Sequence, residues 1–139
     1  VGRRDRRDRV PPPVPSADRA VSQQITFLDT RDLRRTADFY ERVLGLRLAR
    51  DQGPCRIYHV SGTAYVGFCE KPDAPAAPRG LVLTLVTDEV DRWCAHLRSE
   101  GVEFVKAPAD NPPYRIYNAF VRDPNGYVIE IQRFWEPLV

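Results

Sequence analysis

The feature that most restricts what this chain can become is a repeated order of elements. A short strand pattern from Ile25 (ITFLDT) leads into a helical pattern and then three more strand patterns, and the same succession restarts at Leu81. In the first half Asp32 opens the helix. Leu33, Thr36, Ala37, Tyr40, Val43 and Leu44 then recur at helical spacing as one apolar stripe, and Gly45 is the stop. Strands are expected at residues 46–50, 55–60 and 64–70, with Ser61-Gly62-Thr63 turning between the last two. In the second half LVLTLVT is the opening strand, and Val90, Trp93, Cys94 and Leu97 mark one side of a helix that Gly101 ends. Strands follow at 102–105, 116–122 and 127–133, and Asp123-Pro124-Asn125-Gly126 makes the final turn. The expectation is an α+β fold of two βαβββ modules. Module one spans about 24–71, a proline-rich connector 72–80, and module two about 81–135, within a domain of 24–139.

Residues 1–23 alternate charge, carry consecutive prolines and hold almost no large apolar side chains, so nothing offsets the entropy of ordering them. A disordered tail is expected there, and Asp5 and Asp8 interrupt its arginines, which argues against a basic anchoring arm. A net charge of +2 without a basic face gives no reason to expect a nucleic-acid partner. No apolar run approaches the roughly 20 residues that cross a bilayer, and no hydrophobic stretch follows the N-terminal charges as a secretory signal requires. Three cysteines (Cys55, Cys69, Cys94) form no disulfide framework, so a reducing cytoplasm is the expected location.

DLRRTADFYERVLGL (32–46) and RDPNGYVIEIQ (122–132), at this separation, resemble the helix signature and closing hairpin of the vicinal-oxygen-chelate superfamily, the glyoxalase/bleomycin-resistance type. The resemblance covers about residues 25–134. It implies that each module curls its mixed sheet into half of a cup with the helices packed outside, and it implies a homodimer, since some members build each cup from two chains. Implied activities range over glyoxalase, extradiol dioxygenase, epimerase, thiol transfer to fosfomycin and drug sequestration, so the fold does not choose among them.

Metal-dependent members use four inward positions, which fall here on Ile25, Gly67, Val82 and Glu130. Gln24 is adjacent to the first, but a slip of one residue turns a side chain to the other face. A single carboxylate does not make a transition-metal site, so neither metal nor other cofactor is expected.

Pairing the first hairpin about Ser61–Thr63 sets residues whose numbers sum to 124 opposite each other. Cys55, Ile57, His59, Tyr65, Gly67 and Cys69 then face the cup, and Cys55 lies across from Cys69. These two cysteines are open to two readings: a reversible disulfide or reactive thiol pair, or small polarizable fillers of a cavity wall. His59 lies roughly 13 Å along the strand from them, too far to share a metal. A sum of 249 in the second hairpin places Tyr117, Ala119, Val121, Val128, Glu130 and Gln132 inward, and the opening strands add Ile25, Phe27, Asp29, Val82, Thr84 and Val86. Candidate ligand-binding residues are Phe27, Asp29, His59, Tyr65, Tyr117 and Gln132: aromatic rings to grip a flat ligand and polar groups to orient it. Glu130 is the candidate catalytic residue, because a carboxylate among apolar walls favours its protonated form and suits acid–base work. Glutathione-processing relatives place arginine where this chain has Asp29, so an anionic adduct would meet repulsion.

The leading expectation is a metal-independent protein that binds a hydrophobic or aromatic small molecule in the cup. One alternative is a metal-free isomerase, cyclase or lyase working through Glu130 or His59. A second is a metal-dependent glyoxalase-like lyase or dioxygenase, and a third is a structural or regulatory partner domain.

Overall fold

The computed structural model describes residues 20–76 and 78–138. Its elements run β1 (Gln24–Thr30), α1 (Leu33–Asp38), β2 (Arg47–Asp51), β3 (Cys55–Ser61), β4 (Ala64–Glu70), β5 (Val82–Val86), α2 (Val90–Ser99), β6 (Phe104–Asn111), β7 (Ile116–Arg122) and β8 (Val128–Phe134). Two four-stranded mixed sheets result, ordered β1-β4-β3-β2 and β5-β8-β7-β6, and they do not close into a barrel. In each sheet the first strand pairs in parallel with the last, and the other pairings are antiparallel. A parallel pair cannot be joined by a tight turn, so the helix and two intervening strands complete the crossover. Most of the expected tail, residues 1–19, lies outside the described residues, and residues 20–23 are exposed without regular structure.

Asp32 caps α1 by accepting the Arg35 backbone N–H at 3.0 Å. The regular helix expected to reach Leu44 instead widens into a π turn over Phe39–Val43, where Leu44 N donates to Phe39 O five residues back. The wider turn lets the consecutive residues Phe39 and Tyr40 both point inward. Tyr40 packs between Tyr58 and Phe68, with ring centroids 6.2 and 4.4 Å away.

Both modules share one core, in which Leu28, Tyr40, Tyr58 and Phe68 meet Val90, Leu97, Val121, Ile129 and Ile131. Burying each large side chain is worth about 1.5–3 kcal/mol. Polar contacts tie the modules together across this core. Tyr40 Oη donates to Asp123 Oδ2 at 2.9 Å, Tyr127 Oη to Asp29 O at 2.8 Å, and Thr30 Oγ1 to Asn125 Oδ1 at 2.7 Å. His96 is exposed yet bridges the helices by donating from Nε2 to Val43 O at 2.7 Å. The connector is anchored as well: Ala74 is buried, and its carbonyl accepts from Arg31 Nε. No helix among the described residues is long and apolar enough to cross a membrane.

Candidate binding site

Alternation along the strands turns one face of each sheet to the helices and leaves the other free of them. On the second sheet the register sets Thr84 beside Glu130, Phe120 opposite Glu130, and Asn118 opposite Gln132. Glu130 Oε1 accepts from Thr84 Oγ1 at 2.8 Å, and Oε2 accepts from Asn118 Nδ2 at 2.8 Å. Gln132, with its amide nitrogen turned to the carboxylate as the surrounding donors and acceptors require, donates to both oxygens at 2.8 and 2.9 Å. Lys106 reaches in from β6 and donates to Asn118 Oδ1 at 2.7 Å and to Asn118 O at 2.9 Å. A polar chain thus crosses the whole sheet from Thr84 on β5 to Lys106 on β6, with Asn118, only 1% exposed, as its middle link. The groove over this chain, of about 480 Å³, is walled by Val82, Ile116, Phe120 and Phe134, and Tyr114 stands exposed among its lining.

This corrects the expectation of a solitary acid among apolar walls. The walls are apolar and aromatic, but both oxygens of Glu130 are already met by donors. A carboxylate offers about four lone-pair directions, and Thr84, Asn118 and Gln132 occupy them.

The second correction concerns Tyr117. Residues of β7 and β8 pair with numbers summing to 250, as in Phe120↔Glu130, and not to 249. The loop is one residue longer than a plain DPNG turn. Asp123 Oδ1 accepts the backbone N–H of both Asn125 and Tyr127 at 2.9 Å, which draws Tyr127 into the turn. A one-residue shift flips every side chain. Tyr117, Ala119 and Val121 therefore face α2, where the Tyr117 phenol donates to the Asp91 carboxylate, a bond that raises its pKa. Ile116, Asn118 and Phe120 take the cup-facing places. Asn118, Lys106 and Phe120 were missed for this reason, and the signal that could have found them was the acidic residue four positions before Tyr127.

On the first sheet the expected register holds, with Cys55↔Cys69, Ile57↔Gly67 and His59↔Tyr65 paired. Cys55 and Cys69 are joined as a disulfide, so they are not free thiols filling the wall. His59 Nε2 donates to Gly62 O at 2.9 Å, and its ring meets Tyr65 edge-on at 5.3 Å. That nitrogen is thereby committed to the hairpin turn. Asp29 lies exposed on β1, beside Cys69. The groove at Glu130 is lined by second-module residues alone, so Phe27, Asp29 and His59 are not gathered around the carboxylate. A smaller cleft of about 160 Å³ at the seam between the modules brings Tyr65 and Thr84 into one lining.

Ile25, Gly67, Val82 and Glu130, the four metal-ligand positions implied by the resemblance, do not fit a metal. The first three have no donor atom, and the fourth is bonded to Thr84, Asn118 and Gln132. The space above Gly67 is filled: a Cβ built there would lie 2.5 Å from Phe27 Cε1. Among the described residues, no group of three or more His, Cys, Asp or Glu converges.

Paired βαβββ modules with an open, ligand-sized face define the class. The model of the glyoxalase/bleomycin resistance protein/dioxygenase superfamily matches residues 23–131. The chain belongs to that family. It is 28% identical over 123 residues to lactoylglutathione lyases of Escherichia coli O157:H7 and Shigella flexneri, the match covering 76% of this chain and 87% of each relative. Among solved structures it resembles a glyoxalase/bleomycin resistance protein/dioxygenase from Nocardioides (TM-score 0.69, 21% identity, 88% of this chain and 91% of that one). TioX from Micromonospora sp. ML1 is similar too (TM-score 0.67, 22% identity, 81% and 98% covered). At these identities the structural likeness speaks for the fold.

Proposed function

We propose that this protein binds a hydrophobic or aromatic small molecule without the help of a metal, in a cup completed by a second copy of the chain. The observation that carries the reading is the saturated carboxylate of Glu130 beneath aromatic walls. Donors already occupy its oxygens, which suits a fixed polar floor for a ligand. His59 donates from Nε2 to Gly62 O, a bond that leaves Nδ1 as its basic nitrogen. The donor-saturated carboxylate favours binding over a metal-free isomerase, cyclase or lyase working through Glu130, and the ligand-poor set Ile25, Gly67, Val82 and Glu130 disfavours a metal-dependent lyase or dioxygenase. The Glu130 carboxylate in the groove favours a neutral or cationic ligand over an anion.

The homodimer is supported by apolar side chains on the outermost strand of each sheet. Ile25 and Phe27 on β1 are 41% and 52% exposed, and Val82 and Val86 on β5 are 51% and 59% exposed. A second copy set against these strands would cover them and close the cup. A cytoplasmic location requires the Cys55–Cys69 disulfide to be a reversible one.

The test is a titration of the purified protein with planar aromatic compounds, followed by the fluorescence of Trp93 and Trp135, before and after treatment with a chelator. Saturable binding that the chelator leaves intact is the expected result. Binding that disappears on chelation and returns with a divalent ion would overturn the reading.

A further inference from the structure

We propose that Cys55 and Cys69 form a thiol–disulfide exchange site on the cup wall, acting on low-molecular-weight thiols that carry no additional negative charge. The two residues are directly opposed on β3 and β4, with Cα atoms 4.1 Å apart. Cys55 O is taken by Gln52 N at 2.8 Å, and Glu70 N bonds to Pro54 O at 2.9 Å, so Cys55 turns its carbonyl away from β4. The pair therefore occupies a non-hydrogen-bonded position of the ladder, where facing side chains come closest. Sulfurs placed there can join or part with the flanking hydrogen bonds intact.

Access and charge supply the rest. Both cysteines are only half-buried, whereas Cys94 is 2% exposed within the core. They share a face with Gly67, about 7 Å along the strand, so a thiol reaching them enters by the cup. Asp29 is the register neighbour of Cys69 on β1 and is exposed. Its carboxylate opposes an incoming thiolate, and opposes more strongly one bearing further carboxylates.

The chemistry balances as two successive exchanges. A thiolate attacks one sulfur, the Cys55–Cys69 bond breaks, a mixed disulfide forms, and the other cysteine leaves as a thiolate that takes up the proton of the incoming thiol. A second thiol then attacks the mixed disulfide, releases the oxidised low-molecular-weight disulfide and leaves the second cysteine protonated. Two electrons pass from the pair of external thiols to the protein, and the corresponding low-molecular-weight disulfide reverses the sequence.

Alkylation under native conditions tests the site, with Cys94 as an internal control. The folded protein is incubated with 2-mercaptoethanol or glutathione, quenched with iodoacetamide at intervals and mapped by mass spectrometry. The expected outcome is labelling at Cys55 and Cys69 while Cys94 stays unlabelled, faster with 2-mercaptoethanol than with glutathione at equal thiolate concentration. In Asp29→Asn both reactions should accelerate, the glutathione reaction about threefold and the 2-mercaptoethanol reaction by less, since its thiolate carries no further charge. If Cys55 and Cys69 are labelled only as fast as Cys94, the disulfide opens through unfolding and the exchange site is refuted. Equal effects of Asp29→Asn on both thiols, or none on either, would overturn the charge preference.

Discussion

The ring of Phe27 lies over Gly67, its parallel-strand partner, so closely that a methyl group at position 67 would sit 2.5 and 2.6 Å from the ring's Cε1 and Cδ1 atoms. The pair is complementary in shape: a missing side chain on β4 accommodates an aromatic side chain from β1. Gly67→Ala should therefore swing the ring outward, at a cost near the lower end of overpacking, about 1 kcal/mol, because Phe27 is half exposed. In a Phe27→Ala background the same change should be neutral or stabilising, since glycine weakens a strand. Urea denaturation of the four proteins in this cycle gives the coupling, and additive effects would contradict the contact.

Asp123 supplies a pH dependence. Burial, the largest influence, raises its carboxyl above the ordinary 3.8, and hydrogen bonds from Asn125, Tyr40 and Tyr127 offset this in part. With the folded-state value raised, the contribution to stability is present below the unfolded-state value and is lost as pH rises through the folded one. Stability of the wild type should thus decline from about pH 4 upward over the window of the raised value, and Asp123→Asn should remove that decline. Tyr40→Phe deletes a bond that favours the anion, so its decline should extend to higher pH. Denaturation midpoints measured across this range decide the matter, and a wild-type stability that rises over the window would contradict the sign.

The polar chain on the second sheet predicts an order of effects. Asn118→Ala strips a donor from Glu130 and an acceptor from Lys106 inside the protein, and should cost about 3 kcal/mol. Lys106→Met removes a half-exposed partner and should cost about 1 kcal/mol. Equal costs in chemical denaturation would mean that the chain does not act as drawn.

Reducing the disulfide should lower stability by about 3 kcal/mol on the chain-entropy account of a loop this short, given its sequence separation of 14. The Cys55→Ala/Cys69→Ala double variant should show the same loss without reductant and no further change with it. Unequal midpoints for the reduced wild type and the double variant would point to strain in place of chain entropy.

The proposed dimer is open to a direct test. Val86→Lys puts a charge on the exposed face of β5 and should shift the sedimentation of the protein toward the monomer. An unchanged profile would leave the second copy elsewhere.

How much of the structure is legible in the residues follows from how locally each feature is encoded. Order of elements, both helix stripes and the first hairpin's register are set by neighbours in sequence, and Cys55 opposite Cys69 came from counting around a three-residue turn. The second hairpin failed by one residue because Asp123 gathers Tyr127 into the loop through backbone hydrogen bonds that composition does not announce. That slip exchanged Tyr117 for Asn118 and hid the link to Lys106. Glu130 was found by position, but its saturation depends on side chains from three strands, which meet only once the sheet has formed.

The π turn at Phe39–Val43 makes the helix one residue richer than a regular coil would be. Excising a residue from this stretch would return the backbone to ordinary pitch and rotate Tyr40 by about 100°, away from Asp123. A deletion usually regarded as mild on a helix would here break one of the ties between the modules, so the supernumerary residue helps to key the two halves in phase.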